Sequence, residues 1–300
     1  MYANQTEGMR VTMNLQKISA VIAACSLLCD ICSTVANADE VDREGVMTFR
    51  ASVSKQYIKA SELANSDMTV QGNVFVDNYT GLTTFKLTLE SSEPLVIQNG
   101  GFTTPAFFAN LEGTSSIYAR EKADGTPTNV CLYYNDNPNE LPLPNASVAN
   151  EGGSLLSFDV VIPKKTPAGV YKVGFKSGYA TNSIGLKEYY CFATNTSGDT
   201  DFGLQAVEVI VEPNALLGDV NCDGIVDPVD ATKVLQYYAG TMLGYEEEKL
   251  NQYFGTPYVH TALEAAQTIP DGIIDERDAI KILRYYAASM IDDDVDWAAL

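Results

Sequence analysis

A β-sandwich of the jelly-roll kind followed by a small all-α domain built from a duplicated loop-helix unit is the fold that the 300 residues predict. Three observations carry it. The first two-thirds of the chain is a series of short runs rich in Val, Thr, Phe, Tyr and Ile. The last 83 residues are strongly acidic and follow helical spacing. Within them a segment of 21 residues occurs twice, 48 residues apart, with twelve identities.

Eight runs read as strands: Val46–Ser54, Met68–Val76, Leu82–Glu90, Ser115–Arg120, Asn129–Tyr134, Leu155–Ile162, Gly169–Lys176 and Leu204–Val211. In the third, Phe85, Leu87 and Leu89 alternate with Thr84, Lys86 and Thr88, the period of a half-buried strand. Turn-forming clusters at Asp77–Gly81, Asp124–Pro127 and Pro167–Gly169 punctuate them. Eight or nine strands in about 170 residues, with no helical period between them, predict an antiparallel sandwich or jelly roll over residues 39–213.

Residues 214–300 read as helical. Ala231, Val234, Leu235, Tyr238 and Met242 fall on one face of a helix over 230–243. Ala279, Ile282, Leu283, Tyr286 and Met290 do the same over 278–291. The insert between the repeats, Leu243–Pro270, holds a further helix near Tyr245–Tyr253. The junction Val211–Ala215 is short, which brings the two parts close together.

Composition limits the function. With 19 Lys+Arg against 39 Asp+Glu, the net charge of −20 disfavours nucleic acid and anionic lipid as partners. Residues 218–300 carry 16 acidic and 5 basic residues, more than half of that charge. One histidine, His260, leaves little room for a Ser/His/Asp set or a poly-His metal site.

Residues 1–38 read as a secretory signal peptide: Arg10 and Lys17, the apolar run Ile18–Cys29, and Val35-Ala36-Asn37-Ala38 as a cleavage site. Ile22-Ala23-Ala24-Cys25 loosely fits a lipid-attachment box as the alternative. No later apolar stretch reaches the length of a membrane span, so attachment to a cell would be indirect. Cleavage leaves Cys131, Cys191 and Cys222. An odd count is no disulfide framework; a Cys131–Cys191 pair and two half-buried thiols both stay open.

The first repeat carries metal chemistry. Asp219, Asn221, Asp223, Asp227 and Asp230 stand at positions 1, 3, 5, 9 and 12 of a loop, with Gly224 at position 6 and the carbonyl of Ile225 at position 7. This is the oxygen layout of a twelve-residue, EF-hand-like calcium loop, although Asp230 replaces the usual Glu. In the second repeat Asp271, Ile273, Asp275 and Asp278 match positions 5, 7, 9 and 12. Positions 1 and 3 are Gln267 and Ile269, and Ile269 offers no side-chain oxygen. The first loop is expected to bind Ca2+; the second stays open, through Gln267, Glu264 or water.

The duplicated unit, repeats 219–243 and 267–291, resembles a dockerin, the calcium-dependent plug module of cellulosomes. The resemblance is specific in the first repeat and partial in the second, and it implies that loop positions 10 and 11 and the outer helix face contact a partner. Here those residues are Pro228, Val229, Glu276 and Arg277, with Lys233 and Lys281 on the helices. Because Pro228-Val229 and Glu276-Arg277 differ in charge and shape, the resemblance implies one binding orientation.

Residues 46–213 are similar to a cohesin, the socket that receives dockerins, through the stretches Ser66–Glu90, Ser154–Phe175 and Leu204–Val211. The strands at 82–90, 115–120, 129–134 and 169–176 would form the gripping face, with Tyr118, Tyr133 and Tyr171 as aromatic anchors or core. Together the two resemblances imply a secreted, non-catalytic adaptor scaffoldin serving polysaccharide degradation. Its dockerin would dock into the cohesin of a larger scaffoldin, while its own cohesin recruits dockerin-bearing proteins. A dockerin-borne carbohydrate-binding module is the alternative for the β domain, although the only tryptophan, Trp297, lies outside it.

Overall fold

Among the described residues, most buried apolar side chains fall into two clusters. One, around Phe49, Phe85, Leu87, Phe158 and Val160, belongs to the β region. The other, around Val220, Val234, Phe254 and Ile282, belongs to the helical region. The computed structural model describes residues 46–79, 81–99, 101–103, 116–121, 125, 127–134, 154–181, 183–195, 198–199, 201–292 and 294–300. The expected signal peptide lies outside these residues. No helix among them is long and apolar enough to cross a membrane.

The strands are β1 Thr48–Val53, β2 Tyr57–Lys59, β3 Met68–Asp77, β4 Thr84–Ser91, β5 Val96–Ile97, β6 Ser116–Glu121, β7 Pro127–Tyr134 and β8 Ser154–Ile162. They continue with β9 Gly169–Phe175, β10 Tyr179–Thr181, β11 Lys187–Tyr189, β12 Phe192–Asn195, β13 Gly198–Asp199, β14 Gly203–Gln205 and β15 Val207–Glu212. One sheet runs β14-β1-β3-β8-β5. The other runs β13-β12-β4-β9-β15-β2, with β7 also on β4 and β6 on β7. Alternation sends Phe49 and Ala51 of β1, Val70, Val74 and Val76 of β3, and Phe85, Leu87 and Leu89 of β4 into the shared core.

The sheets are mixed, which corrects the expectation of an antiparallel sandwich. β14 runs parallel to β1, and β15 runs parallel to β2. The physical reason is a double crossing. The chain leaves one sheet for the other between β1 and β2, and again at Ala206 between β14 and β15. Its first and last strands therefore pair side by side in both sheets. Gly174 of β9 makes room for the second crossing, since a Cβ there would stand 2.6 Å from that of Ala206. The expected run Leu204–Val211 is consequently two strands. The strands absent from the sequence reading, such as β2, β5, β10 and β11, have two or three residues, too few to show a period.

The helices are α1 Pro228–Met242, α2 Glu247–Asn251, α3 Val259–Ala266 and α4 Glu276–Ser289. The helix expected near 245–253 is α2 with a 3-10 turn over Gln252–Phe254. α3 was not foreseen, because its eight residues are mostly small. Asp227 caps α1 by accepting from Val229 N–H, and Asp275 caps α4 by accepting from Arg277 N–H. In both, the third helical residue returns the bond in a capping box. Pro228 opens α1, where its missing N–H costs little.

α3 packs on the β2–β15 edge. Buried Glu212 accepts from the His260 backbone N–H (3.0 Å) and faces its Nδ1 (3.2 Å). The His260 ring meets Tyr57 edge-on at 4.7 Å, Thr261 donates to the Pro213 carbonyl, and Lys59 pairs with Glu264. His260 is thus part of the junction between the two cores.

Candidate functional site

The first loop folds around its own oxygens. Cys222 at φ 59° and Gly224 at φ 88° turn the chain back sharply. Asp219 Oδ1 and Asn221 Oδ1 both accept the Asp223 N–H, at 3.1 and 3.0 Å, so the oxygens of positions 1 and 3 are neighbours. Asp219 Oδ2 accepts from Gly224 N–H, and Asn221 Nδ2 donates to Asp223 Oδ2 at 2.7 Å. Among the described residues no Lys or Arg pairs with Asp219, Asp223, Asp227 or Asp230.

Asp230 is fully buried and accepts from three backbone N–H groups: Val220 and Asn221 on Oδ1, Asp227 on Oδ2. Burial pushes its carboxyl up to about 6, against the opposing pull of those bonds. Burial also raises Asp219, with the Asp223 charge adding to it. A divalent cation would relieve this crowding of acids, so the donor chemistry fits Ca2+. Among the described residues, no three His, Cys, Asp or Glu side chains gather closely enough to hold an ion by themselves. Ligation there would therefore depend on neutral oxygens as well, those of Asn221 and the Ile225 carbonyl.

The second loop reproduces the frame and not the interior. Asp278 accepts from Ile269 N–H and Asp275 N–H, as Asp230 does from Asn221 and Asp227, and from the Thr268 hydroxyl where Asp230 takes the Val220 N–H. Asp271 accepts from Ile273 N–H, and Gly272 takes φ 80°. Arg277, however, folds back over its own loop. Its Nη2 reaches Asp271 Oδ2 at 2.6 Å and Asp275 Oδ2 at 2.7 Å, and its Nε lies 2.9 and 3.2 Å from the two Asp275 oxygens. The guanidinium holds the Asp275 carboxyl below the usual carboxylate range. Ile273, like Ile225, is exposed.

The residues expected to touch a partner divide. Pro228 and Val229 are exposed at the start of α1. Glu276 is exposed beside Tyr238 of α1, whose hydroxyl its charge pushes up. Arg277 is exposed but committed to Asp271 and Asp275. Lys233 is half-buried and donates to the Tyr253 carbonyl at 3.4 Å, and Lys281 is half-buried.

The sequence reading underused a second set of residues. Across the repeats, Leu235 and Leu283, Met242 and Met290, and Leu243 and Ile291 are equivalent and all exposed; Met242 is 74% and Ile291 92% exposed. Their inward counterparts, Val234 and Ile282, are fully buried. This corrects the single apolar face expected for each helix: Leu235, Met242, Leu283 and Met290 lie off the buried face that Val234 and Ile282 occupy.

In the sandwich, the four strands expected to form a gripping face are contiguous, in the order β6-β7-β4-β9. Tyr133 stacks on Phe85 inside the core. Tyr171 is half-buried and donates to the Pro167 carbonyl; the side chain of Tyr118 lies outside the described set. The β10–β11 hairpin folds over this face: Lys86 Nζ donates to the Tyr189 carbonyl, and Thr88 Oγ1 to that of Tyr190. A cleft lined by Lys86, Thr88, Val130, Lys176, Ala180, Glu188 and Tyr190 separates them. Cys131 and Cys191 are separate buried thiols, each pushed up by burial, Cys191 to about 11. Trp297 stacks on Tyr285 at 4.1 Å and closes against Gly218, where a Cβ would stand 2.6 Å from its ring.

No family model and no curated protein matches this chain. Among solved structures it is similar to the third ScaB cohesin of R. flavefaciens, solved in complex with a group 1 dockerin. The identity is 18%, the match covers 59% of this chain and 97% of that one, and the TM-score is 0.34. A type III cohesin from the ScaE scaffoldin of Ruminococcus flavefaciens matches at 16% identity, 55% and 88% coverage and TM-score 0.35. The seventh ScaB type I cohesin of Pseudobacteroides cellulosolvens matches at 14%, 57% and 96%, also at 0.35. Likenesses at this level leave the family unassigned, and the functional reading rests on the chain's own residues.

Proposed function

We propose that the chain is a secreted, non-catalytic adaptor of a cellulosome-like assembly. Residues 214–300 act as the dockerin plug, entering a cohesin on a larger scaffold. Residues 39–213 act as a cohesin socket for another dockerin-bearing protein. The observation that carries the plug is the repeat-equivalent apolar set at the C-terminal ends of α1 and α4, with Met242, Leu243, Met290 and Ile291 in solvent on an otherwise acidic domain. Large apolar residues kept exposed at equivalent places of a duplicated unit mark it for contact with a protein partner.

Calcium would be held in the first loop by Asp219, Asn221, Asp223 and the Ile225 carbonyl, with Asp227 and Asp230 closing it. Its charge would neutralise the crowded carboxylates and fix the start of α1, where Pro228 and Val229 face the partner. The loop tips differ, so docking takes one orientation. The two specificities must differ, or copies would join head to tail.

The test is retention of the full chain on immobilised cohesins, with calcium and with chelator, beside the Met242→Asp/Met290→Asp variant. Calcium-dependent retention lost in the variant supports the plug. Equal retention of both chains, or none on any cohesin, would sink it. A parallel panel of dockerins and insoluble polysaccharides decides the socket. The carbohydrate-binding alternative draws on exposed Tyr179 and Tyr189 of the hairpin, but their rings meet at 62° and form no flat platform.

A further inference from the structure

We infer that the guanidinium of Arg277 is the resident cation of the second loop, so that residues 267–278 are held by an internal ion pair and take no calcium. The inference deepens the proposed docking and rests on that reading for the ion tested in the first loop. Three observations converge on it. Arg277 bridges the carboxylates at positions 5 and 9, Asp271 and Asp275, through Nη2 at 2.6 and 2.7 Å. Its Nε adds contacts to both Asp275 oxygens, giving a fork that a planar guanidinium suits and a point charge does not.

The other two concern what has been lost. The repeat equivalents of Asp219 and Asn221 are Gln267 and Ile269, so a charge and an oxygen are missing where an ion would need them. The equivalent of Cys222, at φ 59°, is Pro270, whose ring fixes φ near −65°. The second loop cannot trace the same path around an ion. The cation appears in the same repeat: Arg277 stands where the first repeat has Val229. An ion carried on the chain is always at its site and cannot be removed by a chelator.

The experiment uses the full chain. Equilibrium dialysis against radioactive calcium counts ions per chain, and hydrogen exchange in chelator follows the amides of Ile273 and Arg277. One ion per chain is expected, absent from the Asp219→Asn/Asp223→Asn variant. Arg277→Gln should speed exchange at Ile273 and Arg277 by about tenfold in chelator while leaving the Gly224 and Ile225 amides unchanged. Arg277→Lys should recover only part of that protection. Two ions per chain, or one ion that survives Asp219→Asn/Asp223→Asn, would overturn the inference. So would unchanged exchange in Arg277→Gln. No ion in the unaltered chain would end the calcium reading of the first loop, and the exchange result would still decide the role of Arg277.

Discussion

In the first repeat, Asp219 and Asn221 turn their oxygens toward the Asp223 N–H, and among the described residues no Lys or Arg pairs with the loop carboxylates. In the second, Arg277 closes over Asp271 and Asp275. Both loops end on the same buried carboxylate cap, Asp230 or Asp278, tied to the same backbone N–H groups. The frame of the loop is thus independent of what neutralises its interior. The helix start is fixed by hydrogen bonds local to the chain, while the charge at the centre is answered in one case by donors that suit an external ion and in the other by a tethered one.

The largest effect that would break this comparison lies beneath both loops. Val234 and Ile282 are equivalent and fully buried in one core. Ile282→Ala should cost about 2–5 kcal/mol in urea unfolding. Because the core is shared, amides of α1 and α4 should lose protection together. Loss confined to α4 would mean that the repeats are separate folding units.

Docking comes next. Met242→Asp/Met290→Asp should weaken cohesin retention by about 2 kcal/mol or more, as truncation of an interface hot spot does. Its unfolding free energy should stay within about 0.5 kcal/mol of the parent, as at an ordinary exposed site. A matching loss of stability would mean that the two residues pack against something other than a partner.

The caps give a smaller, sharper contrast. Asp227→Ala should cost about 1 kcal/mol through the lost Val229 N–H bond. Asp275→Ala should cost more than Asp227→Ala in chelator, because it also strips Arg277 of one of its two carboxylates. Equal costs would show that the Arg277 bridge adds nothing to the second loop.

The smallest effect is local. Chelator should raise exchange at Gly224 and Ile225 and leave Ile273 unchanged. A rise of equal size at both loops would place calcium in both.

The duplication made α1, α4, their caps and the loop oxygens legible, since all depend on residues within a few positions of one another. The longer strands β1, β3, β4, β6, β7, β8 and β9 were legible from β-rich composition between turn clusters, and β4 from alternation as well. The ion pairs of Arg277 were not legible, for an identifiable reason. Position 11 of the loop was read from the resemblance as pointing to a partner, but an arginine is long enough to reach back to carboxylates two and six residues earlier. The exposed pairs at Met242/Met290 and Leu243/Ile291 were visible as repeated residues, and only their exposure revealed that they lie off the core.

By itself the sequence determined the acidic surface, the two repeated helices with their aspartate caps, and the oxygen layout of the first loop. These follow from composition and short-range spacing. Tertiary structure alone decided the mixed sheets, in which the first strands pair in parallel with the last, and the burial of Glu212 against His260. It also decided that Trp297 is spent on Tyr285 and Gly218. Each joins residues far apart in the chain, and no local period records which faces meet when the chain closes.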